Sequence, residues 1–281
     1  MLKQVRDAMR RHPWFYRALR FVWVPPHRIY QHLYFDDIID VEIEPGVSIK
    51  LECHGEFVEN ELFWRGFAGS WESKSLKLWT ELAKSADYIV DIGANTGVYA
   101  LIAKALNPAA QVMALEPSKR VLTKLHRNIA LNNLAITTVE RAASDKSGEA
   151  TFFDFPTDHQ YTASLERGLN GSPLGQVKVQ TMDEILAIHG FDRLDLAKID
   201  VELHEPAVLR GMRQTLETWR PTLLIEVLND DVEEGIRDAI DGLGYQMISV
   251  ECDDTDPTGD GRNMLICQPR VLELLSLAPT H

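Results

Sequence analysis

The chain has 281 residues, of which 45% are hydrophobic and 25% charged, and carries a formal net charge of −13. This is the composition of a globular protein with one main core, and it excludes a disordered or low-complexity chain. The negative balance also argues against nonspecific nucleic-acid binding, which draws its affinity from neutralised phosphates.

The charge is unevenly spread. Residues 1–35 hold Lys3, Arg6, Arg10, Arg11, Arg17, Arg20 and Arg28 against Asp7 alone, a net of +6 that leaves −19 for the rest. The same segment interleaves Trp14, Phe15, Tyr16, Leu19, Phe21, Val22 and Trp23 with the arginines. Basic helices with an apolar face lie on anionic membrane surfaces, so residues 1–24 are a candidate for peripheral membrane contact. Because Pro13 interrupts the helix and the apolar face is not clean, the reading favoured is an arm packed on its own domain or on a second subunit of a homodimer.

Residues 36–57 alternate in part around Pro45-Gly46 and predict a β-hairpin. Residues 70–84, with Trp71, Leu76, Leu78, Trp79 and Leu82, predict a helix capped by Ser70. Residues 1–69 thus read as a helical and β extension to a main domain, 70–281.

From Tyr88 onward, apolar strands at 88–93, 111–116, 136–141, 194–200 and 221–227 alternate with helical stretches near 97–106, 118–132, 205–219 and 231–243. Such alternation predicts an α/β fold, a doubly wound and mostly parallel sheet with helices on both faces. Residues 148–181 have strand-like ends and a polar, Gly-rich middle that reads as a long loop. The runs 245–251 and 263–268 leave no room for a helix between them, so the seventh and last strand is antiparallel.

Cys53, Cys252 and Cys267 are odd in number and form no CxxC pair, so neither a disulfide framework nor a zinc site is expected. No apolar run approaches the roughly 20 residues of a membrane span, and no signal-peptide pattern opens the sequence. The expected location is the cytoplasm, peripheral to the inner membrane face if the arm touches lipid.

The first strand of the main domain ends in 91-DIGANTG-97. A dinucleotide fingerprint needs three glycines, but Gly93, Asn95 and Val98 occupy those places, which weighs against a nicotinamide oxidoreductase. Asp91 would repel a pyrophosphate and attract an ammonium or sulfonium. Glu116, at the end of the second strand, suits both hydroxyls of a ribose. A positively charged adenosine cofactor fits this pair.

In order along the chain stand 90-VDIGANTGVYAL-101, 115-LEPSKRVLTKLHRNIALNNL-134, 142-AASDKSGEATFF-153, 181-TMDEIL-186, 196-LAKIDVELHEPAVLRGM-212 and 223-LLIEV-227. With these blocks the chain resembles class I S-adenosylmethionine-dependent methyltransferases, more narrowly the FkbM family, over about residues 70–268. The resemblance implies a Rossmann-like methyltransferase fold, S-adenosylmethionine as cofactor and S-adenosylhomocysteine as product. It further implies that Gly93, Asn95 and Gly97, with Thr96 in the same turn, surround the methionine part, and that Asp91 approaches its amino group. Glu116, followed by Pro117, would hold the ribose, and Ala143 and Ser144 would lie beside adenine. Asp200 would stand where the donor methyl faces the acceptor.

An alcohol acceptor must lose a proton, so a base or a metal is useful. The stretch 200-DVELHE-205 sets Asp200, Glu202, His204 and Glu205 between a strand and a helix, and Asp200, Glu202 and His204 are the catalytic candidates. The family usually reads DVEGAE here, so Leu203 and His204 depart from its pattern. His204 could act as general base, but the favoured reading leaves it exposed in the first turn of the helix. Glu205, before Pro206, suits the helix dipole irrespective of catalysis.

Carboxylates such as Glu226 would also suit Mg²⁺ or Mn²⁺, yet strand-end acids arise from the fold without metal, and no metal ligand is assigned. In 156-PTDHQYTASLE-166, His159, Tyr161 and Ser164 could form a lid or touch the acceptor. The acceptor class implied by the resemblance is a hydroxyl on a sugar, glycan or secondary metabolite. N- or carboxyl-methylation, and an inactive cofactor-binding scaffold, stay open.

Overall fold

Pro13–Val22 forms the first helix, α1. Pro13 stands at its N-terminus, where a missing N–H is tolerated, and the residues before His12, on which the expected interruption bears, lie outside the described ones. Tyr16 is fully buried, stacked on Phe35 at 5.3 Å and edge-on to Trp64 at 6.4 Å, so one face of the arm packs on its own chain. The structure, a computed structural model, describes residues 12–53, 55–70, 72–154, 163–166, 172–250 and 262–277. Residues 1–11, Trp71, His159, Tyr161 and Cys252 lie outside these.

Helix α2 (His27–Tyr30) leads to the antiparallel pair β1 (Asp37–Glu44) and β2 (Val47–Cys53). Gly46, at φ 84°, supplies the left-handed residue of the expected Pro-Gly turn. Ile39, Val41, Ile43, Ile49, Leu51 and Cys53 face inward, the period of two that makes a half-buried ribbon. Helix α3 (Phe57–Arg65) buries Leu62, Phe63 and Trp64 beside Tyr16, and α4 (Ser73–Ala83) follows. Ser70 does not cap α4. Its hydroxyl donates instead to Phe67 O at 3.1 Å, and the N-cap residue is Glu72.

The main sheet then builds from β3 (Tyr88–Ile92), α5 (Val98–Leu106), β4 (Gln111–Leu115), α6 (Lys119–Asn132) and β5 (Ile136–Val139). A second group of strands intervenes: β6 (Ala142–Ala143), β7 (Gly148–Asp154), β8 (Ala163–Ser164) and β9 (Ser172–Gln180). The chain returns through α7 (Met182–Ile188), β10 (Leu196–Ile199), α8 (Glu205–Arg210), α9 (Arg213–Thr218), β11 (Thr222–Val227), α10 (Asp230–Ile240), β12 (Gln246–Val250), β13 (Arg262–Cys267) and α11 (Pro269–Leu277). The seven-stranded order is β12-β13-β11-β10-β3-β4-β5, with β13 antiparallel to both neighbours. The doubly wound, mostly parallel sheet with an antiparallel last strand is therefore as expected.

Two apolar clusters sandwich this sheet. Ile89 of β3 joins the cluster that contains Tyr16, Trp64, Trp79 and Leu101, whereas Val90 and Ile92 join that of Met182, Val208, Met212 and Ile236. The N-terminal extension thus shares a core with α4, α5 and β3. Helix α6 also protects the free edge of β2. Asn132 pairs with both Lys50 N and Lys50 O at 2.7 Å, and Asn128 Oδ1 accepts from Glu52 N at 2.9 Å. Side-chain amides there satisfy an edge that would otherwise invite another strand.

The strand-like ends expected of 148–181 are β7 and β9, which join β6 and β8 in a four-stranded sheet of order β6-β9-β7-β8; of the middle read as a loop, only residues 163–166, with β8, lie within the described residues. One expectation is corrected. The expected helix over 205–219 is broken at Gly211. A Cβ there would lie 1.9 Å from Ser144 O, and Asp183 caps a new helix by accepting from Gln214 N and Thr215 N at 3.0 and 2.9 Å.

Candidate active site

The strand order reverses between β3, β4 and β10, and ligands of open α/β sheets bind beyond the carboxyl ends at such a point. There the turn after β3 is pinned to β4: Gly93 N and Ala94 N both donate to Leu115 O, at 3.1 and 2.8 Å. Glu116 completes the tie, accepting from Asn95 N at 3.2 Å and Ser118 N at 2.8 Å. Gly93 has φ 80°, and a Cβ on it would fall 1.8 Å from Asp200 O, so only glycine lets the β3 and β10 ends meet. Pro117 leaves this tie toward α6, while Gly97 at φ 96° begins α5.

The turn holds one buried acceptor without a partner. Asn95, left-handed at φ 50°, buries an Oδ1 with no hydrogen bond, and Glu116 is 7% exposed. Burial pushes Glu116 up to about 7. Asp91 Oδ2 accepts from Ala100 N at 3.0 Å, which ties it to the first turn of α5. Burial raises it to about 7, partly offset by the Lys198 ammonium. Thr96 is buried, its carbonyl accepting from Asn128 Nδ2 at 2.9 Å, and it lies near the buried Glu59 of α3, whose carboxyl burial pushes up and Thr96 partly draws back.

Beyond β10 and β11 lies a cluster of carboxylates around one cation. Glu72, Asp200 and Glu226 each offer an oxygen within 4.8 Å of the others. Lys198, only 1% exposed, reaches Asp200 at 3.4 Å and Asn263 Oδ1 at 3.2 Å, with its ammonium over the Tyr99 ring at 5.1 Å. Burial alone would lower the Lys198 pKa, but Asp200, Glu72 and Glu226 turn the net shift upward. Glu72 in turn accepts from Tyr99 OH and from Asn263 Nδ2. Burial and the charge of Asp200 push Glu202 up to about 8, and Glu226 rises well above the carboxylate range for the same reasons.

The 200–205 turn is held by Glu205, which is fully buried, accepts from Val201 N at 3.0 Å and leaves Oε2 unpartnered. His204 is not exposed as expected, since its side chain is 12% accessible. Its Nδ1 lies 2.7 Å from Glu166 Oε1 and its Nε2 3.0 Å from Ser144 Oγ. Both ring nitrogens are thus engaged. Ser164, beside Glu166, donates to Glu202 O, so residues 163–166 are stitched onto the turn. Ala143 and Ser144 are buried at the end of β6, and Ser144 faces His204.

The Methyltransferase FkbM domain family matches residues 91–247, more than half of the chain. The chain belongs to the FkbM methyltransferase family. Among curated relatives, methyltransferase sdnD of Sordaria araneosa is 27% identical over 52% of this chain and 73% of its own length. Hexuronic acid methyltransferase AglP of Haloferax volcanii is 27% identical over 56% of this chain and 63% of its own. The 31-O-demethyl-FK506 methyltransferase FkbM of Streptomyces tacrolimicus is 27% identical over 46% and 60%. The chain spans less than two thirds of the last two.

The family resemblance gives the departure at Leu203 a physical meaning. Leu203 has φ 78° and follows Glu202 at φ 54°, two left-handed residues in succession, at the place where the family pattern has glycine. A side chain in that region costs roughly 1–2 kcal/mol, most for β-branched residues. Leu203→Gly is therefore expected to melt above Leu203→Val. Thermal denaturation in which the valine variant is the more stable would contradict the strain.

Sequence reasoning missed Glu72, Lys198, Tyr99, Asn263, Glu166 and Glu59. A lysine inside an apolar strand, 196-LAKI-199, was the one visible signal. The others come from distant segments, Glu72 and Asn263 being 191 residues apart.

Proposed function

We propose that this family member is an S-adenosylmethionine-dependent O-methyltransferase acting on a hydroxyl of a saccharide or a natural-product small molecule. The observation that carries the reading is the Glu116 carboxylate, buried and bridging the β3 and β4 turns, opposite the unpartnered acceptor of Asn95. An unpaired buried acceptor is costly unless a donor arrives, and the cofactor's ammonium and ribose hydroxyls are donors. Glu116 would hold the ribose, and Asn95 with the Gly93–Gly97 turn the methionine end. The names of the Haloferax and Streptomyces relatives, a hexuronic acid and a 31-O-demethyl compound, support the acceptor class.

Bound there, S-adenosylmethionine supplies an electrophilic methyl carbon and a neutral thioether leaving group. The chain's own groups then align the acceptor and take its proton. Glu202, which burial and the charge of Asp200 push up to about 8, accepts the proton in its ionised form, so turnover is expected to rise as the pH approaches 8. Asp200 borders the acceptor, where its carboxylate favours the positive charge that the attacking oxygen carries until its proton leaves. Lys198 supplies the fixed counter-charge of this cluster, so the reaction is read without a divalent metal, and full turnover in EDTA is expected. His204, held between Glu166 and Ser144, positions residues 163–166 rather than acting as the base.

Calorimetric titration with S-adenosylmethionine and S-adenosylhomocysteine tests the cofactor. Glu116→Ala is expected to weaken binding at least tenfold, a loss of about 1.4 kcal/mol. Absence of binding by the folded wild type would remove the reading, and binding without turnover on any sugar or metabolite hydroxyl would leave only a scaffold.

A further inference from the structure

One face of α1 remains apolar and uncovered. Tyr16 and Leu19 turn toward the body, where Arg20 also lies over the Phe63 ring at 5.2 Å. Trp14 and Phe21, seven residues apart and so on one side of the helix, are 67% and 94% exposed. Val22, Trp23, Val24 and Ile29 follow in the chain and are exposed by 83%, 49%, 46% and 39%. Isolated exposed hydrophobics are ordinary, but these are six of the eleven large ones exposed among the described residues, gathered within sixteen positions.

Charge selects the occupant. Between His12 and Tyr30 stand Arg17, Arg20 and Arg28 and no acid, whereas residues 36–281 carry −19. Arg17 and Arg28 are exposed on this face, Arg17 also bridging to Asp37 at 2.7 Å. A second copy docked symmetrically would set the two arginine sets against each other. Indole and phenyl rings flanked by guanidinium groups instead match a bilayer interface, where rings sit at headgroup depth and cations pair with phosphates. We propose that α1 and residues 23–29 form a docking face for an anionic phospholipid bilayer. Trp14, Phe21, Val22 and Trp23 enter the headgroup layer, and Arg17 and Arg28 meet its phosphates. Helix α3 links this face to the cofactor turn, through Trp64 against Tyr16 and Glu59 against Thr96. The inference depends on neither cofactor nor acceptor.

The test is sedimentation of the full chain with vesicles of phosphatidylcholine alone or mixed with phosphatidylglycerol. The protein is expected to pellet with the anionic vesicles only, and less so in high salt, where the Debye length falls to about 3 Å at 1 M. The triple variant Trp14→Ser, Phe21→Ser, Trp23→Ser should lower the bound fraction at least tenfold at an unchanged thermal midpoint. Should that variant not fold, Phe21→Ser alone, at the most exposed position, carries the same comparison. Wild-type protein that stays in the supernatant, binds both vesicle types equally or is unaffected by the substitutions overturns the inference. So does a wild type that elutes as a dimer, binds no lipid and becomes monomeric in the variant, because the face then belongs to a second copy.

Discussion

Gly93→Ala is expected to lower stability by roughly 3 kcal/mol and to weaken S-adenosylmethionine binding a hundredfold or more. The added Cβ would stand 1.8 Å from the Asp200 carbonyl oxygen, at a residue whose φ is 80°. Both obstacles are backbone. Relief requires the ends of β3 and β10 to separate, which moves the turn carrying Asn95 and the strand end carrying Asp200 apart. Gly97→Ala provides the contrast, since its Cβ meets the tip of the Leu125 side chain, which can rotate away, and only the left-handed backbone is strained. Chemical denaturation and calorimetry on the two variants check the order. A Gly93→Ala protein that melts and binds as well as Gly97→Ala would show that the strand ends are not closely apposed.

The second large effect is on pH dependence. Asp91, Glu116 and Glu205 are each pushed up to about 7 and Glu202 to about 8, burial being the first cause in all four. Their unfolded values lie near 4, so the folded state holds protons that the unfolded state releases. The stability contributed by these groups is full below about pH 4 and is lost as pH rises through 7–8. The ligand-free protein is therefore expected to melt several degrees lower at pH 8 than at pH 6. S-adenosylmethionine should reverse much of that loss, because its cationic centres favour the ionised carboxylates, and its affinity should rise over the same interval. The neutral thioether product, S-adenosylhomocysteine, should show less of this gain. Scanning calorimetry from pH 5 to 9, with each ligand and without, measures all three. A flat ligand-free midpoint would mean that the carboxylates are hydrated and unshifted.

Local pattern made the parallel sheet legible. Strands buried on both faces read as continuous apolar runs, and the helices between them show their own period, so β3, β4, β10 and β11 were each placed within a few residues. The edge of the fold was less legible. Ser172–Gln180 forms a largely exposed strand against Gly148–Asp154, and polar sequence of that kind does not by itself show how many strands pair into a second sheet. The helix over 205–219 looked continuous because its break depends on the Ser144 carbonyl pressed against Gly211 and on Asp183 capping from another helix.

The family resemblance implied the place of Asp200, and the sequence by itself determined the doubly wound architecture, the position of the turn at Gly93–Gly97 and the acid Glu116 at the end of the next strand. These follow from periodicity, from glycine where backbones must meet, and from acids at strand ends, all of which are local properties. Only the tertiary structure decided which side chains share a charge. It placed Lys198 among Glu72, Asp200 and Glu226, turned Asp91 toward Ala100 N, and buried His204 between Ser144 and Glu166. Some of these partners are distant in the chain, Glu72 from Lys198 and Ser144 from His204, and even for near neighbours desolvation and Coulomb interaction depend on distance in space, which sequence spacing does not encode.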